Sequence, residues 1–346
     1  MPSSTELNQI ARSLVASGKG ILAADESSGT IKKRFDSIGA ENTEINRRDY
    51  REFLFRTPGA QEFISGVILF DETIHQDAAD GTPLRTVLQD QGIIPGIKVD
   101  KGTVALAGSE GELVTDGLDG LRDRLNEYYE LGARFTKWRA LINIGRNIPT
   151  SYCLDVNAHA LARYAALSQE AGLVPIVEPE VFMEGDHDID RAYEVTTATL
   201  REVFRQVEDQ RVDLEGLLLK SSMVLSGSKA SNRAAPDKVA ERTVACFKET
   251  VPAAVPGIVF LSGGQGDEEA TVNLDAINRH AAEAGAPWEL SFSYGRGLQA
   301  APLKAWGGNS ANVAAAQQAY HHRAEVTSAA RRGDYSPSLE PAGTSA

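Results

Sequence analysis

Eight short apolar runs recur along the chain, and a segment with helical spacing follows each run. Continuous apolar runs of this length are typical of parallel strands that helices cover. Three of the helical segments end at Gly132, Gly172 and Gly285, as expected for a glycine just past a helix. The runs span residues 20–25, 64–71, 96–100, 133–142, 174–180, 216–220, 257–264 and 289–296.

Eight alternating units predict a (β/α)8 TIM barrel, the α/β fold in which eight parallel strands close on themselves. The alternative is a doubly wound open sheet, but LAADESSG after the first run lacks a dinucleotide fingerprint. The surplus over the ~250 residues of a typical barrel is assigned to an extra N-terminal helix within 1–20, longer loops and a C-terminal helix within 310–333. We expect one domain over 1–346, with 336–346 a mobile tail that has little to bury.

Composition argues against nucleic-acid-binding, membrane and disulfide-rich proteins. The net charge of −13 argues against a nucleic acid or an anionic membrane as partner, because both repel an acidic surface. Two cysteines, Cys153 and Cys246, imply no disulfide framework and fit a reducing cytosol. No stretch approaches the ~20 apolar residues of a membrane span. We therefore expect a soluble cytoplasmic protein.

Polar side chains stand at or near the carboxyl ends of seven predicted strands. In a barrel these ends converge on one mouth, where the active site is built. Residues two apart share a strand face, which adds Ser27, Arg139 and Glu180 to the same mouth. The strand-end residues are Asp25, Lys98, Lys137, Glu178, Lys220, Ser262 and Arg296.

The histidines do not suggest a metal. His187 lies in the acidic run DHDID, which more simply caps the helix that follows, and none of the 6 histidines has the spacing of a metal motif. We expect neither a metal nor another cofactor. The loops SGGQG and SYGRG follow the seventh and eighth strands, where barrels often hold phosphate.

Lysines and carboxylates in one mouth suit imine chemistry. A lysine must be neutral to attack a carbonyl, and lowering its pKa from about 10.4 to about 7–8 takes roughly 3–5 kcal/mol. Burial of Lys220 at the end of an apolar strand, with Lys137 across the mouth, would supply that bias. The resulting Schiff base accepts electrons from a breaking C–C bond while a carboxylate moves protons.

The motifs also resemble those of a known family. LAADES, GIKVDKG, KWR, VPIVEPE, LLLK, FLSGGQ, SYGR and LKAWGG occur in the order and at about the spacing found in class I fructose-1,6-bisphosphate aldolases. The resemblance extends from about Gly20 to Tyr335. It implies a barrel that assembles as a homotetramer. It also implies reversible, metal-independent cleavage of fructose 1,6-bisphosphate to dihydroxyacetone phosphate and glyceraldehyde 3-phosphate, in glycolysis and gluconeogenesis.

The resemblance assigns catalytic roles by motif. It implies that Lys220 forms the Schiff base, that Glu178 assists loss of water from the carbinolamine, and that Asp25 handles the C4 hydroxyl proton. Lys137 and Glu180 would form the supporting charge network.

The resemblance also assigns substrate contacts. Arg139 would contact the sugar. The C6 phosphate would bind at Ser27, Thr30 and Lys98. The C1 phosphate would bind at Ser262, Gly263, Gly295 and Arg296.

The sequence departs from the animal members of this family at two points. They read LLKPNMV where this chain has Ser221 and Ser222, and Ser222 shares the face of Lys220, where it either places a hydroxyl near the imine or fills space. They also end in a tyrosine that assists proton transfer on the enamine, whereas this sequence ends in Thr344, Ser345 and Ala346. We therefore expect another group, Glu178 or water, to protonate the enamine.

Other functions stay open at this point. A Schiff-base barrel aldolase for a monophosphorylated sugar would need only one of the two anion sites, and specificity could extend to fructose 1-phosphate. A scaffolding protein that has lost the chemistry is disfavoured by the intact charged set. A metal-dependent aldolase is disfavoured by the lack of a histidine cluster. The sequence does not separate a dimer from a tetramer.

Overall fold

The predicted strands form a closed parallel barrel. The computed structural model describes residues 4–340. Around the barrel the strand order is β1, β2, β3, β6, β7, β8, β9 and β10, and β10 pairs with β1 to close it. The strands are β1 Gly20–Ala24, β2 Ile64–Leu69, β3 Ile94–Lys98, β4 Thr103–Ala105, β5 Leu113–Thr115, β6 Phe135–Ile142, β7 Val174–Val181, β8 Leu218–Ser221, β9 Gly257–Phe260 and β10 Glu289–Tyr294. The TIM barrel expected from the sequence is confirmed.

Helices connect successive barrel strands and cover the outer surface. Asp188 accepts a hydrogen bond from the Arg191 N–H and so caps α8, as DHDID predicted. Gly132, Gly172 and Gly285 follow α6, α7 and α10 with positive φ. The helices are α1 Ser4–Leu14, α2 Ser28–Asp36, α3 Glu44–Phe55, α4 Asp71–His75, α5 Leu84–Gln89, α6 Leu121–Glu130, α7 Ser151–Glu170, α8 Ile189–Asp209, α9 Pro236–Thr250, α10 Asp267–Glu283, α11 Arg296–Trp306 and α12 Val313–Arg331.

The helix α1 closes the amino-terminal end of the barrel. Its buried side chains Leu7, Ala11 and Leu14, with Val15 just beyond it, pack against inward-facing strand residues. Those strand residues are Ile21, Ala23, Ile68, Phe135, Val174, Ile176, Leu218 and Val259. The N-terminal amphipathic segment therefore completes the core, rather than lying apart from it.

Three inward-facing glycines make room for this packing. A Cβ on Gly96 would lie 2.3 Å from the Phe135 ring, one on Gly66 would lie 2.7 Å from Leu14, and one on Gly257 would lie 2.8 Å from Val15. Real Cβ atoms do not approach neighbours so closely. The Phe135 ring therefore fills the space that a side chain at position 96 would need, and glycine is the residue that fits there. The closed end of the barrel is thus densely filled by apolar groups.

The structure differs from the sequence-based expectation mainly outside the barrel. The antiparallel hairpin of β4 and β5 was not predicted, because each of its strands has only three residues, and those of β4 are exposed. Of the predicted mobile tail, residues 336–340 include a 3-10 turn, and Glu340 forms an ion pair with buried Arg323 at 2.7 Å. The rest of that tail lies outside the described residues.

Candidate active site

The inward face of four strands changes from apolar to charged at the carboxyl end. Because side chains alternate between the two faces of a strand, residues two apart continue the same inward row. On β7 the row runs from buried Ile176 to Glu178 and Glu180, and on β8 it runs from Leu218 to Lys220. The rows of β6 and β1 are Phe135, Lys137 and Arg139, and Ala23 and Asp25. This parity brings the predicted catalytic side chains together above the apolar core.

Four of these side chains form a continuous chain of ion pairs. Lys220 Nζ lies 3.2 Å from Glu178 Oε1, and Lys137 Nζ lies 2.8 Å from Glu178 Oε2. Lys137 Nζ also donates to Asp25 Oδ2 at 3.0 Å. The Lys220 and Glu178 side chains are only 4% and 3% exposed, so each charge depends on its neighbours rather than on water. The positive charges of the two lysines balance the negative charges of the two carboxylates.

The pKa values of these four side chains reflect the balance of opposite charges. Burial opposes ionisation of Glu178, but the adjacent ammonium groups of Lys137 and Lys220 outweigh it and lower the Glu178 pKa. Burial likewise opposes the charge of Asp25, yet Lys137 and Lys220 hold its pKa below the usual range. The carboxylates of Asp25 and Glu178 raise the pKa of Lys137 against the effect of burial. Both carboxylates are therefore ionised and able to accept a proton.

Glu180 differs from Glu178 although both lie on the same strand face. It pairs with Arg139, whose Nε lies 2.5 Å from Glu180 Oε2. Burial raises the Glu180 pKa, and the neighbouring charge of Glu178 adds to this, whereas Arg139 opposes it. The two glutamates thus have different proton affinities at one site, which suits a division of roles.

A cleft of about 790 Å³ opens at the barrel mouth, beside the ion-paired side chains. Its wall includes Lys137 and Arg139, whereas Glu178 and Lys220 do not line it, and Glu178 contacts Lys137 of the wall. Lys98 Nζ donates to Asp100 Oδ1 at 2.6 Å, and the other oxygen of Asp100 accepts from the Arg139 N–H at 3.3 Å. Seven predicted site residues line the cleft: Asp25, Ser27, Thr30, Lys98, Lys137, Arg139 and Gly295.

The loops after β9 and β10 meet each other, as the phosphate prediction requires. The Gly297 N–H, in the first turn of α11, donates to Ser262 Oγ at 3.2 Å. A Cβ on Gly263 would lie 3.2 Å from Glu180 Oε1, which places this loop beside the charged chain. Of the predicted C1 phosphate residues only Gly295 lines the cleft, and the Arg296 side chain is exposed. The loops supply backbone N–H groups at a helix start, a common anion site.

The sequence analysis did not select Arg34, which also lines the cleft. Arg34 pairs with buried Glu26, which also accepts from Gln299 Nε2 at 2.8 Å. The signal was available, because Thr30 and Arg34 are four residues apart on α2 and share a helix face. Glu26 lines the cleft as well, but it was missed because it is adjacent to Asp25 rather than two residues from it, and its partners Arg34 and Gln299 lie on helices.

Residues 4–340 contain neither a cluster suited to a metal ion nor a helix suited to a membrane. No group of three or more histidine, cysteine, aspartate or glutamate side chains in this range has the arrangement of a metal site. None of the helices in the range has the length and apolarity required to cross a lipid bilayer.

Comparison with known proteins assigns the family. The family model for fructose-bisphosphate aldolase class-I matches residues 6–346. The chain belongs to the class-I fructose-bisphosphate aldolase family. This confirms the expected family and its aldehyde-lyase activity on fructose 1,6-bisphosphate, for which the Schiff base is the defining intermediate of class I.

Relatives and a solved structure support this aldolase assignment over nearly the whole chain. The chain is 58% identical to a probable fructose-bisphosphate aldolase class 1 of Xylella fastidiosa over 331 residues, 95% of this chain and 98% of the relative. It is 55% identical to cytosolic fructose-bisphosphate aldolase 4 of Arabidopsis thaliana over 318 residues, 92% of this chain and 80% of the relative. The structure of fructose-bisphosphate aldolase from Plasmodium falciparum, in complex with TRAP and a small-molecule inhibitor, superposes with a TM-score of 0.95 at 48% identity, and the match covers 97% of each chain.

Proposed function

We propose that Lys220 is the nucleophile of this aldolase and that Glu178 moves protons for it. The observation that carries the proposal is the 3.2 Å contact between Lys220 Nζ and an ionised carboxylate in a buried site. Glu178 takes a proton from the Lys220 ammonium, and the neutral amine attacks the C2 carbonyl of the sugar to form a carbinolamine. Glu178 then returns the proton to the departing hydroxyl, so that water leaves and an iminium remains.

Asp25 acts as the base in C–C bond cleavage. Its lowered pKa keeps it ionised, and its position in the cleft wall lets it take the C4 hydroxyl proton. The C3–C4 electron pair moves onto the iminium, glyceraldehyde 3-phosphate leaves, and an enamine remains on Lys220. Protonation of the enamine at C3 and hydrolysis of the imine then release dihydroxyacetone phosphate and restore the lysine.

The remaining charged residues hold this arrangement. Lys137 bridges Asp25 and Glu178, and its raised pKa keeps it cationic while protons move around it. Glu180 pairs with Arg139, which faces the cleft and contacts the sugar. We assign the enamine proton to Glu178, the carboxylate in contact with Lys220 Nζ, after the proton that Asp25 took from the C4 hydroxyl has passed to Glu178 through Lys137, which contacts both carboxylates.

We assign the two phosphates to opposite ends of the site. The C6 phosphate binds Ser27, Thr30 and Lys98 in the cleft, where Arg34 adds a second cation. The C1 phosphate binds the backbone and hydroxyl groups of Ser262, Gly263 and Gly295, and Arg296 supplies charge from the start of α11. Arg296 must turn inward from its exposed position to do so.

Kinetics with two sugars test these assignments. Replacing Lys98 with methionine removes a cation from the C6 site, and charge-assisted hydrogen bonds contribute about 1.5–3 kcal/mol, so kcat/KM for fructose 1,6-bisphosphate should fall roughly 10- to 100-fold. Fructose 1-phosphate has no C6 phosphate, and its kcat/KM should change less than threefold. Equal losses for both sugars would place Lys98 outside a C6 site. Measurement of both sugars with the unaltered protein also shows which it prefers.

The assembly and location are further parts of this proposal. A homotetramer of 37.2 kDa chains in the cytoplasm, without a nucleic-acid partner, is supported by the family, by the name of the Arabidopsis relative, and by the net charge of −13. Light scattering on the purified protein tests the assembly. A mass of two chains at micromolar concentration would contradict a tetramer.

A further inference from the structure

Backbone pairing between β7 and β8 stops just before the catalytic residues. The pairing includes Ile176 with Leu218 and ends with Val177 opposite Leu219. On its other side β8 stays paired with β9 through Lys220 and Ser221, and the Leu261 N–H donates to the Ser221 carbonyl at 3.1 Å. Because the Ser221 carbonyl faces β9, the Lys220 N–H faces β7, and Lys220 is the last point at which the backbone of β8 is bonded to β7, whereas the pairing with β9 continues beyond it.

The side chain of Ser222 crosses this gap. Its hydroxyl donates to the Val181 carbonyl at 2.9 Å, and both residues are buried. Val181 is itself fixed on the far side, because it pairs with Ile142 of β6 and the following N–H, of Phe182, donates to the Ile142 carbonyl at 2.8 Å. The Ser222 hydroxyl thus ties β8 to a strand that is already rigid.

The contact between Lys220 and Glu178 lies between two ties. Below it, Val177 and Leu219 pair through the backbone, and above it the Ser222 hydroxyl holds Val181. Without the upper tie, the chain beyond Lys220 is free to move away from β7, which changes the direction in which the Lys220 side chain approaches Glu178 across the 3.2 Å contact. A change of one ångström in such a geometry has large effects on reaction rates.

We propose that Ser222 is a positioning residue, whose hydroxyl holds the carboxyl ends of β7 and β8 together and so sets the approach of Glu178 to Lys220. This inference rests on the proposed roles of those two residues. The Ser222 hydroxyl bonds to the Val181 carbonyl and takes no direct part in the reaction. Ser222 affects the rate of imine formation, because it sets the geometry of proton transfer between Lys220 and Glu178.

Ser221 provides a matched control. It is equally buried, it is the same residue type, and it is adjacent in sequence. Its hydroxyl donates to the Ser222 carbonyl at 3.0 Å, within one strand, and does not join β8 to β7. Loss of a buried serine hydroxyl is therefore common to Ser221→Ala and Ser222→Ala, whereas loss of the tie between strands is specific to Ser222→Ala.

The experiment measures the rate and the extent of imine formation in the full-length protein. Each variant is mixed with saturating dihydroxyacetone phosphate, quenched with borohydride at increasing times, and the label on Lys220 is quantified by peptide mass mapping. A neutral hydrogen bond is worth about 0.5–1.5 kcal/mol, so Ser222→Ala should slow labelling about 3- to 10-fold, while Ser221→Ala stays within twofold of the unaltered protein. Ser222→Cys has a similar size and a weak donor, and its rate should be intermediate.

The site and the final extent of labelling test the role of Lys220 separately from that of Ser222. Label on Lys220 that reaches one per chain in every variant, but more slowly in Ser222→Ala than in Ser221→Ala, supports both the nucleophile and a kinetic role for Ser222. Label on another residue overturns the proposed function. A Ser222→Ala rate equal to that of Ser221→Ala, or a reduced extent with an unchanged rate per labelled site, overturns the positioning role. If Ser222→Ala does not fold, Ser222→Cys decides by the same criteria.

Discussion

The two ends of the barrel are built from the same strands but have opposite chemistry. At the closed end, α1 packs on inward side chains that are mostly apolar or are glycine, and the buried Arg331 beside it is held by the Val15 carbonyl and by Glu289. At the open end, two to four residues further along the same rows, Lys220, Glu178, Lys137 and Asp25 are buried charges. Burying a charge costs free energy unless it is paired, so this end depends on its ion pairs.

This difference shows that stability and catalysis depend on different parts of each strand. Apolar burial at the closed end stabilises the barrel and fixes where each strand ends. The open end can then hold reactive groups in one geometry, even though removing any single partner leaves another charge unpaired. Changes at the closed end should alter stability with little effect on turnover, and changes at the open end should do the reverse.

The largest expected effect is on turnover, from loss of Lys220. Lys220→Met removes the amine, and Lys220→Arg keeps a charge but no usable nucleophile, so both should lower kcat at least about a thousandfold. Steady-state cleavage of fructose 1,6-bisphosphate checks this, with thermal unfolding as the control for folding. Activity of Lys220→Arg within tenfold of the unaltered protein would show that the lysine acts only through its charge.

A smaller loss is expected at Glu178. Glu178→Gln keeps the shape but cannot accept the Lys220 proton, so kcat should fall about 100- to 1,000-fold. Glu180→Gln is the matched control on the same strand face and should lose less, because Glu180 pairs with Arg139 rather than with Lys220. Equal losses in the two variants would contradict the assignment of proton transfer to Glu178 alone.

At the closed end we expect a loss of stability instead. Gly96→Ala places a Cβ 2.3 Å from the Phe135 ring, and overpacking of this kind costs about 1–3 kcal/mol. Denaturant unfolding should show this loss, while kcat per folded molecule stays unchanged. Phe135→Leu in the same chain makes room for the new methyl group, so the double variant should be more stable than the sum of the two single losses predicts. Strict additivity would mean that the two residues do not compete for space.

The smallest effect expected is a dependence of stability on pH that only the open end should show. The pKa values of Asp25 and Glu178 are lowered on folding, so their contribution is complete above their unfolded values of about 4 and is lost as the pH falls towards the folded ones. The raised pKa of Lys137 gives a contribution that is complete below about pH 10 and is lost as the pH rises further.

Two variants separate these contributions by their unfolding midpoints between pH 3 and 8. The difference between the unaltered protein and Asp25→Asn should shrink as the pH falls from about 5 to 3. The difference for Phe135→Leu should stay constant, because no charge is involved. A constant difference for Asp25→Asn would mean that its pKa is not lowered by folding.

Much of the barrel and of the site could be predicted from sequence because both follow from periodicity. The apolar runs gave the eight strands, and the two-residue period placed Glu178 with Glu180 and Lys137 with Arg139 on shared faces. The roles of individual residues required the resemblance, since spacing alone does not distinguish a base from a charge partner. The hairpin of β4 and β5 was missed because two strands of three residues carry too few positions to show a period.

Other features depend on contacts between distant parts of the chain. The pairing of Glu26 with Arg34 and Gln299 joins α2 to α11, and no local pattern indicates it. The end of the β7–β8 pairing and the bond from Ser222 to Val181 likewise become visible only in three dimensions. The sequence showed that Ser222 shares the face of Lys220, but it did not show which strand the hydroxyl would hold.

The most direct test of the whole account is identification of the residue that forms the imine. The full-length protein is incubated with dihydroxyacetone phosphate, reduced with borohydride, digested and mapped by mass spectrometry. We predict a single modified residue, Lys220, with the reduced adduct of the triose phosphate and with matching loss of activity. Modification of Lys137 or any other lysine, or no modification under conditions where the enzyme is active, would contradict it.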